Sequence, residues 1–369
     1  MSTIKSFIKM NIVMLIAWVL ALATAVIVPP DIQYLSYFDF KTLVCLFCTL
    51  AVVCALKNIH FFQIVAKKII CIFKNTRSAV IALVYITFIG SMLIANDMAL
   101  ITFLPLGYFV LSDTNHKELM SFTFIMQNIA ANLGGMLTPF GNPQNLYMYS
   151  YFDIPTKEFF SIMLVPFIVS IILITLCCCF VKKEDLSLST GEGELVLNKK
   201  RTAAYLVLFL LSVGLVFNLV PYGLGLVIIL LCILLLDRHA LLDVDYGLLL
   251  TFCAFFIFSG NLSRIDAIGT ILGALVNRNT LLFSVLSCQV ISNVPSAVLL
   301  SHFTPNYPEL LIGVNIGGAG TLIASLASLI TLRQFSKYQP EKVKRYILEF
   351  SLYNFSMLAI LFAVVVFVL

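Results

Sequence analysis

Two asparagine-centred turns, each set inside a long apolar run, constrain this chain more than any other feature: Ile94-Ala95-Asn96-Asp97-Met98 and Val290-Ile291-Ser292-Asn293-Val294-Pro295. At bilayer depth, irregular backbone and polar side chains persist only where protein covers them or a water-filled cavity meets them. Two such turns on similar scaffolds therefore imply a lined site between membrane spans, as in a transporter. Composition agrees, with 61% hydrophobic residues, 11% charged residues and a mean hydropathy of +1.04 over 369 residues. A soluble domain of that length cannot hide so much apolar surface, so the chain reads as a polytopic helical membrane protein.

Apolar runs at 10–28, 42–56, 159–181, 203–219, 222–236, 246–262 and 346–369 are candidate spans, and 118–150 and 308–333 are interrupted spans. The runs at 78–110 and 279–302 are drawn as hairpins that enter and leave on one side, giving nine crossings and two re-entrant hairpins. Lysine and arginine test the drawing, because they gather on the cytoplasmic side. With the N-terminus inside, all but Lys41, Lys157, Arg264 and Arg278 of the 23 basic residues fall on that side. Drawing either hairpin as one crossing puts a basic cluster on the wrong face. Lys5 and Lys9 before the first run also resemble the start of a signal peptide, but the run is long for a cleaved segment and is kept as a first helix.

The order of features repeats. Two spans, a short polar stretch, a hairpin, a broken span and a final span occur first from the inside and then, from Pro221, from the outside. The expected fold is an all-α membrane protein, an inverted repeat with two re-entrant helical hairpins and two broken transmembrane helices. Residues 1–181 form the first repeat, 182–202 a cytoplasmic linker, and 203–369 a connecting helix plus the second repeat.

Four polar elements carry the chemistry. Asp97, at the first hairpin tip, is the first candidate for a coupling-ion or proton site, because an ionised carboxylate at that depth must face a cavity, pair with a cation or take up a proton. A helix-capping role for Asp97 is the plain alternative. The first broken span, with Gly134, Gly135, Pro139, Gly141 and Pro143, exposes carbonyls and offers Thr138, Asn142, Gln144 and Asn145 as neutral ligands. The second hairpin presents Ser292 and Asn293 before Pro295, and the start of its returning arm is expected to direct free N–H groups at an oxyanion. The second broken span has Gly317, Gly318 and Gly320 with Asn315 and Thr321; glycines there serve either close packing or a site.

The remaining signals are plain. The ten cysteines lack metal-ligand spacing and read as small core residues. The four histidines read as interfacial, Arg264 is expected to pair with Asp266, and the phenylalanine-rich stretches read as packing. Nothing resembles a nucleotide-binding loop. No Ser-His, Cys-His or His-carboxylate set can be assembled near the hairpins, so an enzyme is not expected. The net charge of +5 reflects basic cytoplasmic loops and needs no nucleic-acid partner.

At Ala95-Asn96-Asp97, Gly141-Asn142-Pro143-Gln144-Asn145, Ser292-Asn293-Val294-Pro295 and Gly317-Gly318-Ala319-Gly320-Thr321 the chain resembles the ion transporter superfamily, and most of all its arsenite-permease and citrate-transporter-like branch, related to divalent anion:sodium symporters. The resemblance covers nearly the whole chain in feature order. It implies a homodimer in which a subdomain carrying both hairpins moves as a body. It also implies one cation site at Asn96 with Gly141 and another at Asn293 with Gly318 or Ala319. The dicarboxylate symporters carry Ser-Asn-Thr at each tip; both threonines are missing here, so dicarboxylate specificity does not carry over.

The reading is a secondary active transporter for a small anion, a carboxylate or inorganic oxyanion, in the cytoplasmic membrane. It is coupled to sodium or protons through Asn96, Asp97, Gly141, Asn142, Asn293, Gly318 and Ala319. The anion is expected at Asn96, Thr138, Asn142, Asn145, Ser292, Asn293 and Thr321, with no cofactor beyond sodium ions. A sodium/proton antiporter and an arsenite or antimonite efflux permease are the competing readings.

Overall fold

The computed structural model describes residues 12–70, 72–186 and 197–368; Lys5, Lys9, Cys71 and the middle of the expected linker lie outside the described residues. Among the described residues the chain is helical, with one isolated antiparallel bridge between Asn75 and Asp185. The first half comprises α1 (Ile12–Ile27), α2 (Phe40–Asn58), α3 (Phe61–Ile70), α4 (Thr76–Ile94), α5 (Asn96–Asp113), α6 (Met120–Gly134), α7 (Pro143–Tyr151) and α8 (Thr156–Cys179). The second comprises α9 (Lys199–Val216), α10 (Tyr222–Leu236), α11 (Arg238–Leu242), α12 (Tyr246–Ser263), α13 (Asp266–Arg278), α14 (Thr280–Ile291), α15 (Asn293–Leu300), α16 (Tyr307–Ile316), α17 (Leu326–Tyr338) and α18 (Val343–Val368).

This is a multi-span membrane fold. Five segments, α2, α4, α8, α12 and the stretch Pro340–Val368 that contains α18, are each long and apolar enough to cross a bilayer. The pair α13 and α14, bent by 116°, makes a sixth candidate. The nine crossings drawn from sequence also include α1 and α10, which are apolar but shorter, and α9, whose first turn carries Lys199, Lys200 and Arg201. Helix α9 begins inside the stretch assigned to the linker because the Asn198 side chain accepts from the Arg201 N–H and caps it.

Short polar side chains set many of the helix starts. Asp39, Asn75, Asp245, Asn279, Asn306 and Ser325 each accept a first-turn N–H, which satisfies donors that a membrane environment would leave bare. The starts of α5 and α15 have no such cap, and neither do those of α6, α7, α8, α10 and α13.

Packing runs across the two halves as well as within them. Helix α1 lies on α12 while α2 lies on α10; α4 lies on α6 while α14 lies on α16; α5 lies on α17 while α15 lies on α7; and α6 touches α18 while α8 touches α16. Helices α8 and α18 expose most of their surface, with 28% of the apolar window buried in each, against 67% in α2. This places α2 inside and α8 and α18 at the lipid boundary.

At the foot of α4, the segment after α8 is strapped to the helix entry. The Thr76 N–H donates to Glu184 O (2.9 Å), Leu186 N–H to Lys74 O (2.9 Å), Thr76 Oγ1 to Lys182 O (2.6 Å) and Arg77 Nε to Val181 O (2.7 Å). Arg264 does not pair with Asp266. Its guanidinium takes Asp31 in a two-pronged contact (2.7 and 3.1 Å) and also donates to Tyr37 Oη (3.0 Å). The fork matches a carboxylate presented by the loop after α1, whereas Asp266 opens α13. The contact holds the Asp31 carboxyl below its ordinary range.

Candidate functional site

Helices α4 and α5 pack on one another across the single residue Ala95, and α14 and α15 across Ser292. Both connecting residues have backbone angles that only glycine adopts without cost: φ 68° and ψ 152° at Ala95, φ 79° and ψ 159° at Ser292. Each stores about 1–3 kcal/mol of strain. In both turns the following asparagine folds back on its neighbour, with Asn96 Oδ1 accepting from Asp97 N–H and Asn293 Oδ1 from Val294 N–H, each at 2.9 Å.

The unwound stretches after α6 and α16 meet these turns in the same way. Thr138 Oγ1 donates to Met92 O (2.8 Å) and Thr321 Oγ1 to Gln289 O (3.0 Å); Met92 and Gln289 each lie four residues before the turn asparagine. A Cβ on Gly134 would meet Ser91 Oγ at 2.7 Å and one on Gly317 would meet Cys288 Sγ at 3.0 Å, so the helix ends approach the hairpin arms closely in both halves. Asn142 and Ser325, both in extended conformation, then start α7 and α17.

Around these turns lies a set of buried polar side chains, all but one of them amides. Asn96, Asn132, Asn142, Gln144, Asn145, Asn293, Asn315 and Ser325 are none of them more than 3% exposed. Asn132 Oδ1 accepts from Asn96 Nδ2 (3.1 Å) and Ser325 Oγ (2.8 Å), and its main-chain oxygen accepts from Asn142 Nδ2 (3.2 Å). Asn315 Oδ1 accepts from Asn142 Nδ2 (3.4 Å) and Gln144 Nε2 (3.5 Å), and its Nδ2 donates to Asn145 Oδ1 (2.7 Å). Asn132 of the first half thus bonds the start of α17, and Asn315 of the second bonds the start of α7.

The structure brings the sequence candidates together at one place with unequal freedom. Asn145 is a strap: its Nδ2 donates to the carbonyls of Gly135, Met136 and Thr138 at 3.1–3.2 Å. The Thr138 and Thr321 hydroxyl protons are committed to the hairpins. Asn293 Nδ2 lies over Gly318, 3.2 Å from where a Cβ would stand. The start of α15 differs from expectation: Asn293 N–H donates to Ala324 O (2.9 Å), Val294 N–H is taken by Asn293, and Pro295 has none. It therefore offers a dipole end without free donors in its first three residues.

Orphaned atoms reveal what the site lacks. Among the buried side-chain atoms without a partner are the acceptors Asp97 Oδ1, Asn142 Oδ1 and Gln144 Oε1 and the donor Asn132 Nδ2. Unmet acceptors in that number fit an oxygen-loving cation. Residues 78–112, 119–152, 279–308 and 310–332 hold no Asp, Glu, Lys or Arg except Asp97. No group of three or more metal-ligating side chains occurs among the described residues.

Asn132, Ser325 and Gln289 were not singled out from sequence. The signal for Asn132 was present: Asn132-Leu133-Gly134-Gly135-Met136-Leu137-Thr138 and Asn315-Ile316-Gly317-Gly318-Ala319-Gly320-Thr321 share an Asn-x-Gly-Gly-x-x-Thr frame.

The family described as Citrate transporter matches residues 1–307. The chain is 35% identical over 317 residues to "Uncharacterized transporter MJ0456" of Methanocaldococcus jannaschii, covering 85% of this chain and 86% of the relative. It is 31% identical over 280 residues to "Inner membrane protein YbiR" of Escherichia coli, covering 74% of each. With its multi-span fold and amide-lined hairpin turns, this chain belongs to the citrate transporter family and is a membrane transporter, not an enzyme.

Proposed function

We propose that this chain is a secondary active transporter of a small anion, a carboxylate or inorganic oxyanion, working by alternating access in the cytoplasmic membrane. The two halves are inverted repeats, each carrying a re-entrant hairpin and a broken span. Support comes from the recurrence in both halves of the packing between hairpin arms and broken spans and of the hairpin-to-loop contacts. The E. coli relative, named as an inner membrane protein, supports the location.

One observation carries the coupling. The hairpins and broken spans that build the site contribute to it a single carboxylate and no basic residue, so an anion entering it brings uncompensated negative charge into a low-dielectric space. A cation must accompany it. Asp97, with Asn96, Gly141 and Asn142 around it, takes that cation, sodium or a proton. The anion is read by Asn293 of the second hairpin, whose Nδ2 makes no hydrogen bond among the described residues, while Ser292, Asn96, Thr138, Asn142, Asn145 and Thr321, whose donors are spent within the protein, frame the site. Binding of cation and anion at one junction of the two halves makes each require the other, which is the condition for coupled transport.

The test is uptake by proteoliposomes of labelled citrate, succinate, sulfate, phosphate and arsenite under separate sodium and proton gradients. Accumulation of one anion under one gradient is expected. No accumulation, with sodium-driven pH change inside the vesicles, would replace the reading with a cation/proton antiporter.

A further inference from the structure

The two halves share a backbone but not their oxygen atoms. The matched turns and loops pair Asp97 with Val294, Asn142 with Ser325 and Gly141 with Ala324. At the first position, half one has a carboxylate with an unpartnered buried Oδ1 and half two an aliphatic side chain. At the second, Asn142 Oδ1 is unpartnered, while Ser325 Oγ donates to Asn132 and accepts from Ala327 N–H (3.2 Å). At the third, Gly141 O accepts no hydrogen bond among the described residues, while Ala324 O takes the Asn293 N–H (2.9 Å) and the Ser292 hydroxyl (3.4 Å).

Gln289 fills what remains of the second half. Its Nε2 donates to the carbonyls of Val285 (3.2 Å), Gly317 (2.8 Å) and Ala319 (3.2 Å), and its Oε1 accepts from Thr321 N–H (2.9 Å). The amide orientation is unambiguous, since a flip would face oxygen to three carbonyls. An amide NH2 among three carbonyl oxygens sits where a small cation would. Gly320, at φ 126°, completes the fit, because a Cβ there would meet Gln289 Oε1 at 2.2 Å. The counterpart in the first half is Met92, which has no such donor.

Resting on the transport reading above, we infer that the cycle couples one cation to each anion, bound at the Asn96-Asp97 turn, and that Gln289 is a positioning residue whose amide stands permanently in place of a second cation at the Ser292-Asn293 turn. Free oxygens at all three matched positions of one half, and at none in the other, set this stoichiometry.

The experiment measures equilibrium accumulation of labelled citrate, or of whichever panel anion accumulates, in proteoliposomes held at zero membrane potential while the coupling-ion gradient is varied. One cation gives tenfold accumulation for a tenfold gradient, and two give a hundredfold, since the exponent is the stoichiometry. Wild-type protein is expected to follow the tenfold line. Gln289→Met is expected to slow uptake and raise KM without bringing the slope below one cation, whereas Asp97→Asn removes the gradient dependence. A hundredfold line for the wild type, or a tenfold line that survives Asp97→Asn, overturns the inference while leaving a transporter in place. Failure of every panel anion to accumulate under either gradient removes the transport reading and the inference with it.

Discussion

The two hairpin turns use one backbone solution for opposite ends. Ala95 and Ser292 hold nearly the same strained angles, and Asn96 and Asn293 close the same short ring to the next N–H. Around Asn293 the chain then satisfies itself: Ala324 O, Gln289 and Pro295 leave little unmet. Around Asn96 it leaves Asp97 Oδ1, Asn142 Oδ1 and Gly141 O open. The arms differ too. Helices α4 and α5 have 19 and 18 residues, about 28 Å each, while α14 and α15 have 12 and 8, about 18 and 12 Å. A shared frame thus separates a turn whose polar groups are satisfied within the protein from a turn that leaves acceptors unmet.

The two loops differ most in what they tolerate at Gly141. A Cβ there would stand 2.4 Å from Gly135 O and 2.5 Å from Thr138 Oγ1, so Gly141→Ala should cost roughly 3 kcal/mol by overpacking. The mirror change Ala324→Gly, where the Cβ is already housed, should cost about 1 kcal/mol. Thermal unfolding in detergent checks both, and equal losses would erase the difference between the two loops. The next largest effect is expected at the latch. Gln289→Met leaves buried acceptors and the Thr321 N–H unmet and should destabilise by about 2 kcal/mol, whereas Met92→Ala at the matched, half-buried site should cost less than a fully buried Met→Ala change.

A smaller effect sharpens what the halves share. Ala95→Gly and Ser292→Gly relieve an angle that favours glycine and should each raise stability by about 1 kcal/mol; a fall in melting temperature for either would show that the turn is not strained. The smallest effect lies outside both turns. Arg264→Ala removes the exposed Asp31 pair and should move the melting temperature little. Because the pair lowers the Asp31 carboxyl from its ordinary value of 3.8, its contribution is complete at neutral pH and is lost as pH falls through the depressed value. The wild type and Arg264→Ala should therefore converge in melting temperature in strong acid.

Much of the fold was legible because membrane chemistry leaves few options. Apolar runs of span length, capping residues such as Asp39 and Asn75, and glycine-proline clusters that cannot continue a helix mark the elements within a few residues. The turn asparagines were legible for the same reason, as polar groups at forbidden depth. Hydrogen-bond partners were not. Asn145 reads as a ligand from sequence yet spends its amide on three carbonyls and Asn315. Asn132 lies in the last turn of α6, where its bonds to Asn96 and Ser325 reach 36 and 193 residues away along the chain. Gln289 was invisible because its role depends on the conformation of Gly317–Thr321, and Arg264 found Asp31 because the two loops meet in space.

Coupling rests on Asp97, and the most direct measurement compares two modes of transport in the same vesicles carrying Asp97→Asn. One mode is exchange of labelled for unlabelled anion with no gradient, and the other is concentrative uptake driven by sodium or protons. Retained exchange with concentrative uptake reduced at least about tenfold is the predicted result, since a neutral amide stands in for the cation-neutralised carboxylate and lets the anion bind while no cation is carried with it. Concentrative uptake equal to wild type would contradict it.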